Sequence, residues 1–311
     1  MAKNKPPRFV IVGDVHFAMD PPGRRKDGYA DSVLGKLQFA ATVGSKLGVD
    51  GFIFTGDVFH HKRASIREVN AMLEAFSEFQ SDVHVLIGNH DVIGHNTDDL
   101  EGSGIGALFH LDHVHRIPRE PDGCEVVITG ADYQPDYETS APYDPITTHD
   151  DGRPHIHVTH GTLLESELPF EVSRTLIGEI EHNIADHKNV LLVNGHWHKP
   201  WQREKSNVWN LGSFSRCAFG ENHTPRILVA EWATDEWKVR PVDVPCETDV
   251  WEPENEIVKA LDRDAVAEFV ESFEAEENVE LRSEELLGTL LEGKSDEVRG
   301  MVRELLEGEA A

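Results

Sequence analysis

The strongest constraint on the fold of this chain lies in its first third, where three β-branched apolar runs alternate with two helical stripes. Arg8 to Val12, Gly51 to Thr55 and Val83 to Ile87 read as strands. Between them, Ser32 to Leu47 places Val33, Leu37, Ala40 and Ala41 on one helical face, and Ser65 stands as an N-cap ahead of Val69, Met72, Leu73 and Phe76. A βαβαβ order predicts a parallel sheet with helices packed on its faces. Further strand-like runs follow at Glu125 to Thr129, Ile156 to Thr159, Val190 to Val193, Val208 to Leu211, Ile227 to Trp232 and Trp237 to Val242. An Ala-Thr-Asp-Glu turn joins the last two. The stretch from Tyr133 to Pro154, rich in Pro, Asp, Thr and Tyr, reads as a long loop or lid. Beyond Pro253 only helical stripes remain: Val266, Phe269, Val270 and Phe273, then Val298, Met301, Val302 and Leu305. The expected organisation is one α/β domain over 1–245 and an acidic helical region over 246–311.

Five short motifs each follow one of these apolar runs. They are Gly13-Asp14-Val15-His16, Gly56-Asp57-Val58-Phe59-His60, Gly88-Asn89-His90-Asp91, Thr159-His160-Gly161 and Gly195-His196-Trp197-His198. In open α/β sheets, ligands bind where loops converge at the carboxyl ends of strands. Glycines ahead of Asp14, Asp57, Asn89 and His196 permit tight turns there. Imidazoles, carboxylates and one amide are donors that suit manganese, iron or zinc, and the absence of a thiolate argues against a structural zinc site. Asp14, His16, Asp57, Asn89, His160, His196 and His198 are more donors than one ion needs, and Asp57 is placed to bridge two. Two divalent cations against two carboxylates leave such a site locally positive, able to accept a phosphodiester. His90, beside the donor Asn89, is assigned as general acid or transition-state stabiliser, with Asp91 expected to hold its ring. His84, His113, His115, His155 and His157 lack this context and read as structural or surface histidines.

Composition narrows the setting. The chain has 311 residues with 39% hydrophobic content, enough for a core. Its three cysteines, Cys124, Cys217 and Cys246, form no CxxC pair, so a disulfide framework is not expected and a reducing cytoplasm is. No apolar stretch reaches the length of a membrane span. The net charge of −28 runs against long-range attraction to nucleic acid. Over half of that excess lies from Cys246 onward, where 21 Asp and Glu stand against 6 Lys and Arg. Cations instead follow the motifs: Arg24, Arg25 and Lys26 after the first, Lys62 and Arg63 after the second, Lys199 and Arg203 after the fifth. Screening acts over about 8 Å at physiological salt, so these can act locally. Arg24, Arg25, Lys62 and Arg63 are the candidates for contacting a substrate phosphate.

Taken in order, the five motifs resemble those of the calcineurin-like metallophosphoesterase superfamily over residues 8 to 245. The resemblance implies a four-layer αββα sandwich, here with a small helical C-terminal extension. It implies Asp14, His16, Asp57 and His198 around one metal, Asp57, Asn89, His160 and His196 around a second, and His90 as the catalytic histidine. Manganese is the expected ion. Gly56-Asp57-Val58-Phe59-His60 is similar to the second motif of SbcD-type DNA repair nucleases, in which a histidine three positions after the bridging aspartate assists exonuclease action; His60 holds that place. Asn210-Leu211-Gly212-Ser213 resembles the segment after their last metal motif. The same resemblance implies DNA as substrate, homodimers, and docking of the C-terminal helices on an SbcC-like coiled-coil ATPase. Serine/threonine phosphatase, purple acid phosphatase and lipid A precursor hydrolase motifs fit less well. A small-molecule or nucleotide phosphoesterase and a non-catalytic scaffold are the competing readings.

Overall fold

The computed structural model describes residues 5–23, 25–93, 100, 102–118, 125–134, 142, 152–166, 174–185, 187–203, 207–218 and 220–251. Arg24, most of the 133–154 stretch and the C-terminal helical stripes expected beyond Pro253 lie outside the described residues.

The first sheet is built from β1 (Arg8–Val12), β2 (Gly51–Phe54), β3 (Asp82–Val85) and β4 (Val114–Arg116), all parallel. A hairpin of β12 (Arg226–Ala233) and β13 (Glu236–Asp243) extends it, antiparallel to β1. The second sheet holds β5 (Val127–Ala131), β6 (His155–Gly161), β9 (Val190–His196) and β11 (Val208–Asn210) in parallel, with β10 (Trp201–Arg203) antiparallel at its edge. A two-stranded ribbon pairs β7 (Leu163–Leu164) with β8 (Thr175–Leu176). The helices are α1 (Tyr29–Leu47), α2 (Ile66–Ser77), α3 (Gly104–Leu108) and α4 (Ile177–Ala185).

Side-chain alternation along the strands explains the layering. In β1, Phe9 and Ile11 point into a core shared with Ile156, Val158, Leu191 and Val193 of the second sheet. Val10 and Val12 point the other way, with Phe52, Phe54 and Val83, onto Leu37 of α1 and Met72 and Phe76 of α2. In β9 the same switch sends Leu191 and Val193 inward and Val190 and Leu192 toward Ile177, Ile180 and Ile184 of α4. A strand buried on both faces reads as a near-continuous apolar run, as Phe9 to Val12 and Val190 to Val193 do. The result is the expected αββα sandwich.

Local chemistry fixes the ends of these elements. Ser65 accepts from Glu68 N (3.3 Å) while Glu68 Oε2 accepts from Ser65 N (2.6 Å), a capping box of the kind worth about 1 kcal/mol. The β12–β13 turn has Thr234 at φ 57° and Asp235 at φ 60°, the paired left-handed residues of a two-residue hairpin. Helix α1 begins at Tyr29 rather than at Ser32. Ser32 does not cap it; its hydroxyl donates to Asp249 at 2.9 Å.

Asp249 is the hub of a buried ion cluster. It accepts from Arg25 (2.9 Å), from Lys36 (2.8 Å and 3.0 Å) and from Ser32, and lies 3.5 Å from Arg216. Trp251 packs between the guanidinium groups of Arg25 (4.9 Å) and Arg216 (4.3 Å). These contacts tie the 246–251 segment to α1, and the first compact unit accordingly runs to Trp251, a short way past the boundary expected at 245. The second unit is 252–311.

Candidate metal centre

The carboxyl ends of β1, β2 and β3 in one sheet and of β6 and β9 in the other bring all seven expected donors together. Asp14 is anchored by Thr55 Oγ1 (3.1 Å) on one oxygen and the backbone N–H of His196 (2.7 Å) on the other. One donor group is formed around His16: its Nε2 lies 3.0 Å from His198 Nε2 and 3.5 Å from Asp57 Oδ2, while His198 Nε2 lies 3.7 Å from Asp14 Oδ2. A second is formed around His160: its Nε2 lies 3.2 Å from Asp57 Oδ2 and 3.2 Å from Asn89 Oδ1, and His196 Nδ1 lies 3.0 Å from Asn89 Oδ1. Asp57 Oδ2 belongs to both groups.

The backbone is bent to achieve this. His16 (φ 49°), Asp57 (φ 49°) and His196 (φ 73°) all adopt the left-handed region, which disfavours side chains and is tolerated where the surroundings over-determine it. Strain therefore sits on the donors more than on the glycines before them. Gly88 and Gly195 matter for close approach instead: a Cβ on Gly88 would fall 2.1 Å from Asp57 Oδ1, and one on Gly195 2.5 Å from Asp14 Oδ1.

Electrostatically the donors form a set that favours added positive charge. Asp14, Asp57 and His160 are almost fully buried. Burial pushes the Asp14 carboxyl up to about 6 despite nearby histidines. Burial also opposes charge on Asp57, but His160 and His90 hold it well below the usual carboxylate range. Burial works against a charged His160 as well, yet Asp57 beside it raises it to about 9. His196 is lowered to about 3, chiefly by burial. His160 Nδ1 donates to Thr55 O at 2.8 Å, so Nε2 faces Asp57 and Asn89 and offers its lone pair there when a cation displaces its proton. Nitrogen and oxygen donors within 4.8 Å of one another, with the carboxylates out of water, fit divalent cations.

His90 sits at the rim. Its backbone N–H donates to Asp57 Oδ1 (2.8 Å) and its Nδ1 donates to the carbonyl of His60 (2.5 Å). Asp91 does not hold the His90 ring, contrary to the sequence expectation. Its carboxylate accepts instead from the backbone N–H groups of Val58 (2.9 Å), Phe59 (3.2 Å) and Gly88 (3.0 Å), locking the second and third motifs together. The His60 ring stacks on His90 (centroids 5.7 Å, 23°) and meets His16 edge-on at 5.5 Å.

Arg25 is corrected as well. Its side chain is fully buried, bonded to Asp27, Asp249 and the carbonyls of Ser215 and Arg216, so it is not offered to a substrate phosphate. Arg24 lies outside the described residues, Lys62 is half-buried and Arg63 is exposed. Two residues escaped the sequence reading. Tyr133 packs its ring 5.2 Å from that of His196, and Glu221 Oε1 lies 2.5 Å from His198 Nδ1. Neither stands in a recognisable spacing; only the fold places them.

Residues 7–230 match the family model of the calcineurin-like phosphoesterases. The chain belongs to that family. No curated protein matches it. Among solved structures, a dimetal phosphatase from Danio rerio is similar at 14% identity and TM-score 0.51, covering 79% of this chain and 100% of that one. The protein TT1561 of Thermus thermophilus is similar at 12% identity and TM-score 0.47, covering 76% of this chain and 99% of that one. At these identities the zebrafish protein speaks for the fold alone. Among the described residues of this calcineurin-like phosphoesterase, no helix is long and apolar enough to cross a membrane.

Proposed function

We propose that this phosphoesterase is a two-metal phosphodiesterase acting on DNA, as the nuclease subunit of an SbcCD-like repair assembly. The observation that carries the two-metal reading is Asp57 Oδ2, which lies 3.5 Å from His16 Nε2 and 3.2 Å from His160 Nε2. Asp14, His16, Asp57 and His198 would hold one divalent ion; Asp57, Asn89, His160 and His196 would hold the other. Manganese is proposed, and iron or zinc would accept the same donors. When bound, such a pair polarises a phosphoryl oxygen and activates water at neutral pH.

The chain's own residues supply the rest. The His60 carbonyl can only accept, so His90 Nδ1 carries a proton and Nε2 is the nitrogen left for the leaving-group oxygen. Protonated there, His90 would donate as the bond to phosphorus breaks. The bond from its backbone to Asp57 keeps that donor in register with the donor groups.

A DNA substrate is supported by His60 stacked against His90 on the same side, and by Lys62 and Arg63 in the loop that follows. A small-molecule or nucleotide phosphoesterase is the second reading, favoured by the burial of Arg25 and the net charge of −28. Docking of the region beyond Trp251 on a coiled-coil ATPase, and homodimerisation, complete the nuclease proposal, in a cytoplasm that keeps Cys217 and Cys246 as thiols.

The test is hydrolysis with manganese of linear duplex and single-stranded DNA, beside bis-p-nitrophenyl phosphate and nucleotides. The nuclease reading expects DNA cleavage. Strong turnover of the small diester with intact DNA, even with the ATPase present, rejects it in favour of the second reading.

A further inference from the structure

The geometry points to Glu221 as a positioning residue that fixes His198 as a donor and widens the difference between the two metal positions. This rests on the two-metal reading above. His198 has two faces: Nε2 meets His16 and Asp14, while Nδ1 meets Glu221 Oε1 at 2.5 Å. A carboxylate oxygen only accepts, so the bond holds the proton on Nδ1 and aims the Nε2 lone pair at the first donor group.

The Glu221 side chain is only 9% exposed, and although burial opposes its charge, its carboxylate is held low by His198 and by the Ser213 hydroxyl. Burying a carboxylate is destabilising unless it is paired, and the bond to His198 is the chief compensation for its placement. The loop that carries it is built to hold that position. Arg216 Nε donates to the Glu221 carbonyl (2.8 Å), Arg216 N donates to Ser213 Oγ (2.9 Å), and Gly220 turns at φ 91°. The thiol of Cys217 is the competing neighbour, but its Sγ stands 4.0 Å from the same Nδ1. At 2.5 Å against 4.0 Å, the carboxylate holds the ring.

The asymmetry follows from comparing the two groups. His160 is backed by a neutral backbone carbonyl, Thr55 O at 2.8 Å, and His198 by a carboxylate. A charged backing group makes an imidazole the more basic donor. With two carboxylates against one carboxylate and the Asn89 amide, the His16–His198 position is the tighter of the two, and Glu221 widens the difference.

The experiment titrates the full chain with Mn(II), followed by electron paramagnetic resonance, and compares Glu221→Ala, Glu221→Gln and Cys217→Ser with the wild type. The wild type is expected to take up two equivalents of unequal affinity. Glu221→Ala should weaken the tighter one by about 10–100-fold and leave the other unchanged. Glu221→Gln keeps an acceptor without charge and should fall between. Cys217→Ser should match the wild type. Imidazole 15N shifts of the metal-free protein at alkaline pH, where the His198 ring is neutral, form a second arm: His198 should be the Nδ1–H tautomer in the wild type and a mixture in Glu221→Ala. The assignment is overturned by a folded Glu221→Ala that binds both equivalents like the wild type with the tautomer unchanged. Loss of an equivalent in Cys217→Ser alone overturns it too. A wild-type chain that takes up no manganese refutes the two-metal reading instead, and the tautomer arm still decides whether Glu221 fixes His198.

Discussion

Replacing Asp249 with alanine should cost far more stability than its place near the end of the first unit suggests. Its side chain and that of Arg25 are fully buried, and that of Lys36 is 2% exposed. Without Asp249, Arg25 keeps Asp27 and two backbone carbonyls. Among the described residues, Lys36 keeps only the Ser215 carbonyl at 3.1 Å. The loss is thus concentrated on one buried ammonium with no counter-charge. Removing one partner of a buried ion pair typically costs about 3–5 kcal/mol. Burial already lowers the Lys36 pKa, and in the variant the lysine can shed its proton, which caps the penalty at that order. For a unit of this size each kcal/mol moves Tm by about 2–4 °C, so the expected fall is roughly 6–20 °C. Scanning calorimetry on the full chain, with urea unfolding to check that the m-value is unchanged, measures it. A drop below about 2 °C would show that the cluster is not what fastens the 246–251 segment, and the argument from burial would fail.

Other outcomes follow from the same contacts. Burial raises the Glu68 carboxyl, but hydrogen bonds from Ser65 and Met19 N–H outweigh it and hold the group below its unfolded value of 4.5. Its stabilisation is therefore complete above about pH 4.5 and lost as pH falls through the lower folded value. Glu68→Gln should be less stable at neutral pH, with the gap to wild type closing in acid; a pH-independent gap in urea titrations would contradict this. His90→Ala should lower kcat by about 10²–10⁴-fold while metal content measured by plasma emission stays at the wild-type level. Unchanged turnover would remove His90 from the chemistry. Gly88→Ala forces Asp57 to move, since its Cβ would fall 2.4 Å from Asp57 N as well. A misplacement of that size should cost on the order of 100-fold in hydrolysis with the fold intact by circular dichroism. Wild-type rates would mean that the close approach at Gly88 does not position the site.

Much of the centre was legible because its donors stand at strand ends, and strand ends are written in β-branched runs. Phe9 to Val12 and Leu191 to Val193 announce both the strand and the place where the next side chain must point. Pairs set by distant packing were not legible. Arg25 beside Arg24 and Lys26 looked like a phosphate contact; it is bound instead by Asp27, two positions on, and by Asp249, 224 positions away, and only the second is hidden from local spacing. Asp91 was expected to hold its neighbour, His90, yet the backbone N–H groups of the second motif compete for the same carboxylate and are better placed. Glu221 follows an ordinary Phe-Gly, and nothing in its spacing relates it to His198. Strands β7 and β8, two residues each, are too short for a period of two to show.

The most direct measurement is anomalous diffraction from crystals grown with manganese. Two peaks about 3.5–4 Å apart, sharing Asp57 Oδ2 with His16 and His198 on one side and His160 and His196 on the other, are the predicted result. A single peak, or density that leaves Asp57 uncoordinated, would contradict the two-metal account.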